Sequence, residues 1–266
     1  MSSVRTNKRN LIKELLGASE LLLALVQRQV SARYRGSFLG FIWSFLNPIF
    51  LVGVYTLVFK LFIRFEAQSD YALFMLSGML PWLWFSTGSL EASTSISGAG
   101  ALVSKAMFPV QVLPVATVLS HGVHYLFALP VLLIFSIVSG KLFLGSLVFL
   151  PIVIGIHLLL SSSVSILLAS LNVRFRDVQH LVGNLFSFLF FLSPIVYPTT
   201  SVPLEYRQLY FLNPLASIIQ YHHYAFAGGE APPMWSLAYS LLASLLLFVL
   251  SAKVFYSFRD EFAELV

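Results

Sequence analysis

The stretch from Gly145 to Leu171, GSLVFLPIVIGIHLLLSSSVSILLASL, contains no Asp, Glu, Lys or Arg. A helix that crosses the hydrocarbon core of a bilayer needs roughly 20 apolar residues, and this stretch exceeds that length. Lipid offers no water to the backbone, so the amides of such a stretch must be bonded within a helix. The stretch predicts a membrane-spanning helix and sets the fold class of the chain.

The rest of the chain has the same character. Hydrophobic residues make up 58% of its 266 residues and charged residues 10%, with a mean hydropathy of +0.86. We therefore expect an all-α integral membrane protein with six transmembrane helices. These spans form one transmembrane domain over residues 36–266, at about 40–62, 71–93, 112–138, 145–171, 181–196 and 235–257.

Shorter helical segments flank the spans. Residues 1–35 form a polar tail followed by an amphipathic helix, which we expect to lie at the cytoplasmic surface of the membrane. A helix packed on a soluble partner is the alternative. The connection 197–234 is too apolar for a solvated loop, and its prolines divide it into pieces at 203–212 and 214–227. Both are too short to span, so we expect re-entrant or surface-lying helices on the external side.

The distribution of basic residues predicts the orientation of the chain. With six spans, one side carries many more Lys and Arg residues than the other, and this side is assigned to the cytoplasm together with both termini. The basic side holds Arg5, Lys8, Arg9, Lys13, Arg28, Arg33, Arg35, Lys105, Arg174, Arg176, Lys253 and Arg259, and the other side holds Lys60, Arg64, Lys141 and Arg207.

The sequence lacks the residues that nucleotide binding, disulfide formation and metal binding by thiolates would need. No Gly-rich loop ends in Lys-Ser or Lys-Thr, so ATP-driven work would need a separate subunit. The chain has no cysteine for a disulfide, a thiolate metal site or a nucleophile. His121 and His124 share a helical face, but without further ligands nearby we predict no metal site there. We expect them to form hydrogen bonds between helices or to line a wet cavity.

Four local patterns together resemble one protein family. They are QVSARYRGSFLG at 29–40, followed by Trp43 and Asn47-Pro48, then NVRFRDV at 172–178, SPIVYP at 193–198 and LNP at 212–214. In this order and spacing they resemble the membrane (permease) subunit of a type-2 ABC exporter, in the branch that exports O-antigen, capsule or teichoic acid. The resemblance covers nearly the whole chain.

The resemblance implies a homodimer in a bacterial inner membrane that binds two copies of a cytoplasmic ATPase, which holds ATP and Mg²⁺. This chain itself would bind no cofactor and catalyse no reaction. It would move a polysaccharide that is linked to a polyprenyl diphosphate, with O-antigen as the expected substrate, to the outer face of the membrane. The ATPase would contact a coupling helix that includes Ser104, Lys105, Ala106, Met107, Phe108 and Pro109, and the external pieces would form a gate that includes Tyr197, Tyr206, Tyr210, Asn213 and Tyr221.

Basic residues before the first span suggest where a lipid-linked substrate enters. Arg33, Tyr34 and Arg35 lie at the depth of lipid phosphates, and Leu39 and Gly40 continue the same loop. Since Arg can bind a phosphate with two parallel hydrogen bonds, we expect these residues to bind the diphosphate of the substrate. Ordinary anchoring to anionic lipid is an equal alternative.

Aromatic and acidic residues in the spans are candidates for the passage. Aromatic rings could hold the C–H faces of sugars in weak, repeated sites, as continued movement requires, although many aromatics belong to interfacial belts or lipid-facing packing. Glu91 either lines the entrance, pairs with a basic residue of another helix, or reaches the membrane surface. The predicted lining residues are Trp43, Tyr55, Trp82, Trp84, Phe85, Glu91 and Tyr125.

Other functions remain open at this point. A type-2 exporter could instead carry teichoic acid, capsule, lipid or drug. A proton-coupled secondary transporter would need internal repeats and acidic residues at the midplane, and no repeat is evident. A membrane-embedded transferase or hydrolase would need a convergent set of acid and base residues at one depth.

Overall fold

The computed structural model describes residues 11–35, 42–62, 70–103 and 108–265, and no strand occurs in these ranges. The α-helices are α1 (Leu11–Gly17), α2 (Ser19–Tyr34), α3 (Trp43–Thr56), α4 (Tyr71–Ser93), α5 (Gly100–Val103), α6 (Val112–Val138), α7 (Leu150–Arg174), α8 (Val178–Phe191), α9 (Leu204–Tyr210), α10 (Pro214–Phe226), α11 (Met234–Phe258) and α12 (Phe262–Leu265). A π-helix, Leu57–Phe62, continues α3, and a 3-10 turn, Leu144–Phe149, leads into α7.

Each predicted span overlaps a helix, namely α3 with its π-helical end, α4, α6, α7, α8 and α11. The span predicted at 181–196 extends beyond α8, which ends at Phe191, and residues 40 and 41 of the first span lie outside the described ranges. Among the described helices, three are long and apolar enough to cross a membrane: Val112–Val138, Leu144–Arg174 and Met234–Glu261. The all-helical fold of a membrane protein is confirmed. Six crossings stay a prediction, because α8 is short and α4 carries many polar residues.

Helix α11 exposes leucines and buries serines, which is the reverse of the arrangement on a helix of a soluble protein. Leucines such as Leu242 and Leu246 point away from the bundle, more than half exposed. Four serines, Ser236, Ser240, Ser244 and Ser251, are fully buried on the other face. In lipid, leucine gains nothing by leaving the surface, whereas small residues let two helices approach closely. This serine seam therefore supports the assignment of α11 to the bilayer.

An apolar cluster joins the helix ends at one side of the bundle. Leu11 of α1, Ile96 after α4, Val110 before α6, Phe255 of α11 and Phe262 of α12 pack together there. The C-terminal ends of α4 and α11 thus lie beside the N-terminal end of α6, as expected for helices that alternate in direction. We call this group the basal cluster.

Helix α10 is inserted into the opposite side of the bundle. Asn213 caps it by accepting a hydrogen bond from the amide of Leu215 at 3.0 Å, and Pro214 occupies its first turn. Its start and its end both lie on this side, since the Ser240 hydroxyl donates to Pro214 and the Ser136 hydroxyl donates to Phe226. The short helices α9 and α10 correspond to the two predicted external pieces.

Helix α2 packs along α6. Gln29 of α2 donates to Thr117 of α6 at 3.3 Å, and Arg33, four residues later in α2, lies beside His121, four residues later in α6. The two helices therefore run in the same direction here. Apolar side chains on the other face of α1 and α2 are exposed, namely Ile12, Leu16 and Leu23. This exposed stripe is consistent with the predicted contact with the membrane surface.

Candidate functional site

The exposed positions of α4 mark the candidate site. This central helix packs against α3, α6, α7, α8 and α10, and only Thr87 and Glu91 of its residues are exposed. They lie one helical turn apart on the same face. A lipid-facing surface would carry apolar residues, because intramembrane acidic groups face protein or water. This face of α4 is therefore suited to a hydrated space.

Three ionisable side chains meet at this face. The guanidinium Nη2 of Arg33 donates to Glu91 Oε2 at 2.7 Å. His121 Nε2 lies 2.8 Å from the same oxygen and 3.0 Å from Arg33 Nη2. Arg33, Glu91 and His121 come from α2, α4 and α6, and we call them the entrance triad. The predicted pairing of Glu91 with a basic residue and the predicted interhelical hydrogen bonds of His121 are both observed.

Thr87 fixes the ring of His121. Its Oγ1 lies 3.1 Å from His121 Nδ1, so one nitrogen of the ring faces a hydroxyl and the other faces a carboxylate. When Nε2 carries a proton, it donates to the oxygen of Glu91 that already accepts from Arg33. The side chain of His121 is 7% exposed, whereas those of Arg33 and Glu91 are 37% and 53% exposed. The triad therefore has one fixed donor and two groups that solvent or a ligand can reach.

A groove of about 400 Å³ begins at Thr87 and runs between α3, α4 and α8. One part of its wall is aromatic, with Trp82 and Phe190 edge to face at 5.6 Å and Tyr55 and Phe190 at 6.1 Å. The hydroxyls of Ser86, Thr87 and Ser187 add polar groups to this wall. The groove is lined by Leu51, Tyr55, Met79, Trp82, Leu83, Ser86, Thr87, Leu90, Gly183, Phe186, Ser187, Phe190 and Phe191.

Helix α8 adds a polar stripe beside the groove. His180, Asn184 and Ser187 are all exposed, and their spacing of four and three residues puts them on one face. The groove thus combines aromatic rings with hydrogen-bonding groups. Sugars offer matching surfaces, since they present hydroxyls at their edges and C–H groups on their faces.

The structure places the predicted lining residues in several different environments. Tyr55 and Trp82 line the groove, and Glu91 belongs to the triad. Phe85 is buried behind the groove against Phe186, at 5.1 Å between ring centroids. Trp43, at the start of α3, is 42% exposed.

Trp84 and Tyr125 do not line this groove, and their place along the passage stays a prediction. Both are buried between helices, and their rings stack with centroids 5.1 Å apart. Trp84 Nε1 donates to the carbonyl of Val118 at 3.0 Å, and the Tyr125 hydroxyl lies 2.8 Å from His222 Nε2. Their polar atoms are therefore satisfied by neighbouring helices, so these rings hold α4, α6 and α10 together.

Of the residues predicted to bind lipid phosphate, Arg33 is in the triad and Arg35 is exposed just after α2. Tyr34 ends α2, but its side chain lies outside the described part of the chain, as do Leu39 and Gly40. In the predicted coupling segment, residues 104–107 (Ser104, Lys105, Ala106 and Met107) also lie outside it. Phe108 packs against the basal cluster, and Pro109 precedes α6.

The predicted gate residues fall into a connected group and two separate positions. The Tyr210 hydroxyl donates to that of Tyr197 at 3.3 Å, and burial raises the pKa of the Tyr210 phenol. Asn213 Nδ2 donates to Ser193 Oγ at 3.0 Å and thereby ties α10 to the end of α8. Tyr206 is 57% exposed, and Tyr221 is buried, with its hydroxyl 3.5 Å from the carbonyl of Pro232.

Sequence reasoning missed the role of Thr87, Ser187 and the α8 stripe. The only signal for them is a helical spacing of polar residues within apolar segments. The sequence also could not show that Arg33 pairs with Glu91, because these residues are 58 positions apart in the chain.

Residues 20–226 match the family model described as ABC-2 type transporter. The chain is 36% identical to the O-antigen export system permease protein RfbA of Myxococcus xanthus over 256 residues, which is 96% of this chain and 98% of that protein. It is 28% identical to a protein of the same name from Klebsiella pneumoniae, over 93% of this chain and 95% of that protein.

A more distant relative is the polysialic acid transport protein KpsM of Escherichia coli, 22% identical over 90% of this chain and 93% of that protein. The matches extend over α2, the triad, the groove and α10, and the resemblance drawn from the sequence motifs is confirmed. The chain therefore belongs to the ABC-2 type transporter family.

Proposed function

We propose that this chain is the permease subunit of an ATP-driven exporter that moves lipid-linked O-antigen from the cytoplasm to the outer face of the bacterial inner membrane. The observation that carries the proposal is the 36% identity, over almost the full length of both chains, to a permease named for O-antigen export. The groove supports it, because aromatic rings and hydroxyls suit the two kinds of surface on a sugar chain.

The proposed topology has six crossings and both termini in the cytoplasm. The basal cluster joins the helix ends near Arg174 and Arg259, and these belong to the more basic side of the sequence. The end that carries α9 and α10 would then be external. In this topology α10 is re-entrant, since both of its ends lie on the same side of the bundle.

A homodimer would complete the passage. In a single chain the groove is open toward the surface between α3 and α8, and the hydroxyls of Thr87 and Ser187 are exposed there. In the proposed topology these hydroxyls lie within the membrane. Polar groups in this position are costly in contact with lipid. A second copy facing the groove would enclose them in a hydrated passage, with Tyr55 and Trp82 among its lining and the group around Tyr197 and Tyr210 near its exit.

Two copies of an ABC ATPase, holding ATP and Mg²⁺, would supply the energy. The segment Ser104–Pro109 lies between α5 and α6 and continues into the basal cluster, to which Phe108 contributes. Movement of this segment would therefore be passed to the ends of several helices together. This chain would act only as the transport subunit.

Substrate would enter from the inner leaflet beside α2. There Arg33, Tyr34, Arg35, Leu39 and Gly40 would meet the diphosphate of a polyprenyl-linked polysaccharide. The sugar chain would then follow the groove outward. A second candidate substrate is a capsular polysaccharide, favoured by the identity to a polysialic acid transport protein, but that identity is only 22%.

Deletion of the gene in its native host tests the proposal. We expect the cells to lose surface O-antigen, to accumulate it in the cytoplasm, and to recover export when the full chain is restored. An affinity tag on the chain should co-purify an ATPase in equal numbers. Normal surface O-antigen in the deletion strain, or a purified chain that is active without an ATPase, would contradict the proposal.

A further inference from the structure

The entrance triad has the geometry of an occupied anion site. Arg33 Nη2 donates to Glu91 Oε2 at 2.7 Å, and His121 Nε2, which is a donor when it carries a proton, lies 2.8 Å from the same oxygen. Hydrogen bonds between charged partners at these distances are the strong ones in proteins. The oxygen at their meeting point is that of a half-exposed side chain and not of the backbone. It can therefore be replaced by another anionic oxygen without unfolding a helix.

The rest of the triad would stay in place if Glu91 moved away. His121 is nearly buried and its other nitrogen faces Thr87 at 3.1 Å. Arg33 is carried by α2, which Gln29 fastens to α6 one turn earlier. The ring of His121 and the helix that carries Arg33 are thus held by contacts that do not involve Glu91. A preformed pair of donors lowers the ordering cost of binding a ligand.

The position of the triad indicates which anion could reach it. Arg33 lies in the last turn of α2, and α1 and α2 expose the apolar side chains of Ile12, Leu16 and Leu23, as helices that lie against lipid headgroups do. Thr87 belongs both to the contacts of the triad and to the wall of the groove. A headgroup that arrives along α2 therefore meets the triad before the groove.

We propose that Arg33 and His121 form a binding site for the diphosphate of a membrane lipid, and that Glu91 fills this site as an internal substitute until the lipid displaces it. The inference rests on the proposed function, since it concerns how the substrate of that exporter is admitted. A diphosphate offers several anionic oxygens in place of one carboxylate, so it can satisfy both donors. Glu91 then weakens binding, and only a ligand of sufficient charge occupies the entrance.

Binding of undecaprenyl diphosphate to the purified complex of full-length chain and ATPase tests this inference. The complex is placed in phosphatidylcholine nanodiscs without nucleotide, and bound lipid is counted by native mass spectrometry. Removal of the competing carboxylate in Glu91→Gln should strengthen binding about 5-fold, the upper range for an exposed ion pair. Arg33→Gln should weaken it about 10-fold, and His121→Asn should weaken it about 3-fold, because each removes one donor.

Matched controls separate the diphosphate from other parts of the ligand. Glu261→Gln removes the carboxylate of another exposed Arg–Glu pair, with Arg174 at 3.4 Å, and should leave binding unchanged. Undecaprenol, which lacks phosphate, should bind equally to wild type and Glu91→Gln. Inorganic pyrophosphate should compete with undecaprenyl diphosphate if the headgroup is recognised, whereas phosphatidylglycerol should compete poorly.

Two results would overturn the inference. One is a Glu91→Gln complex that binds undecaprenyl diphosphate no more tightly than wild type. The other is an Arg33→Gln or His121→Asn complex that binds as well as wild type, which remains measurable even if Glu91→Gln does not assemble. These outcomes are independent of the export assay, so the proposed function can survive a failure of the site.

Discussion

Replacement of Gly78 by alanine should loosen the attachment of α10 to α4. A Cβ atom at this position would lie 2.8 Å from His223 Cε1, 3.0 Å from His223 Nε2 and 3.4 Å from the Cα of Ile195. Ordinary carbon contacts are about 3.5 Å or longer, so the imidazole would have to move by about 0.7 Å.

The imidazole of His223 has little freedom to move. It stacks on Phe74 with ring centroids 4.0 Å apart, and its Nε2 donates to the carbonyl of Pro194 at 2.5 Å. Its Nδ1 lies 2.8 Å from the Ser77 hydroxyl. Overpacking of a tight contact costs about 1–3 kcal/mol. We therefore expect Gly78→Ala to lower the free energy of unfolding by about 2 kcal/mol, which corresponds to about 4–8 °C in Tm.

Thermal unfolding of the detergent-purified chain, followed by size-exclusion chromatography after heating, measures this loss. Gly155→Ala is the matched control, since no atom lies within 4 Å of a Cβ at that exposed helical position. It should melt at or above the temperature of wild type, because alanine favours a helix more than glycine does. The reasoning is refuted if Gly78→Ala melts like wild type, or if Gly155→Ala loses as much.

Three further substitutions test other parts of the fold and the groove. Tyr125→Phe leaves the buried His222 Nε2 without the hydroxyl that donates to it, so the free energy of unfolding should fall by about 1–3 kcal/mol. A second substitution, His222→Phe, should restore part of this stability in thermal unfolding. A double variant that is less stable than Tyr125→Phe alone would contradict this. Asn213→Ala removes the cap of α10 and also the Nδ2 donor to Leu192 and Ser193, and it should cost about 1 kcal/mol or more in thermal unfolding. Asn213→Asp keeps the capping oxygen but not the donor, so it should recover part of this loss; equal losses would exclude the cap as a cause. Gly183→Leu should narrow the groove and reduce surface O-antigen without lowering Tm, while Gly155→Leu leaves export unchanged; normal export in the Gly183 variant would remove the groove from the pathway.

The helices could be predicted from sequence because each has a local cause. Apolar runs set their lengths, and prolines mark several starts, such as Pro203 before α9 and Pro214 at the first turn of α10. The boundaries of α4 and α6 agree with the predicted spans for this reason. A helix is decided by neighbouring residues, and neighbours in the chain are visible in a sequence.

The faces of the helices could not be predicted in the same way. Trp84 and Trp82 are both aromatic residues of α4 just after Pro81, yet one is buried against α6 and the other lines the groove. α4 is surrounded by protein on nearly every side, so its sequence has no apolar period that distinguishes lipid from interior. Its buried and groove-lining polar residues lower its mean hydropathy, although the helix lies at the centre of the bundle.

The triad shows a second limit. Glu91 was recognisable as an acidic residue that needs a partner, because an unpaired charge within a span is costly. Its partners come from α2 and α6, and which of the available basic and histidine residues they are depends on how these helices pack against each other. That packing is a property of three separated segments together.

The serine seam of α11, which contacts α10 at Ser236 and Ser240 and α7 at Ser244, has a consequence for how the protein responds to cold. Attraction between apolar surfaces in water weakens on cooling, and soluble cores lose strength accordingly. Close contact between small side chains in lipid depends on dispersion forces and interhelical hydrogen bonds, such as that from Ser163 to the carbonyl of Ser244 at 3.3 Å. Helices α7 and α11 should therefore stay joined at low temperature, while the parts of the chain that rely on water exclusion, such as the basal cluster, lose stability first.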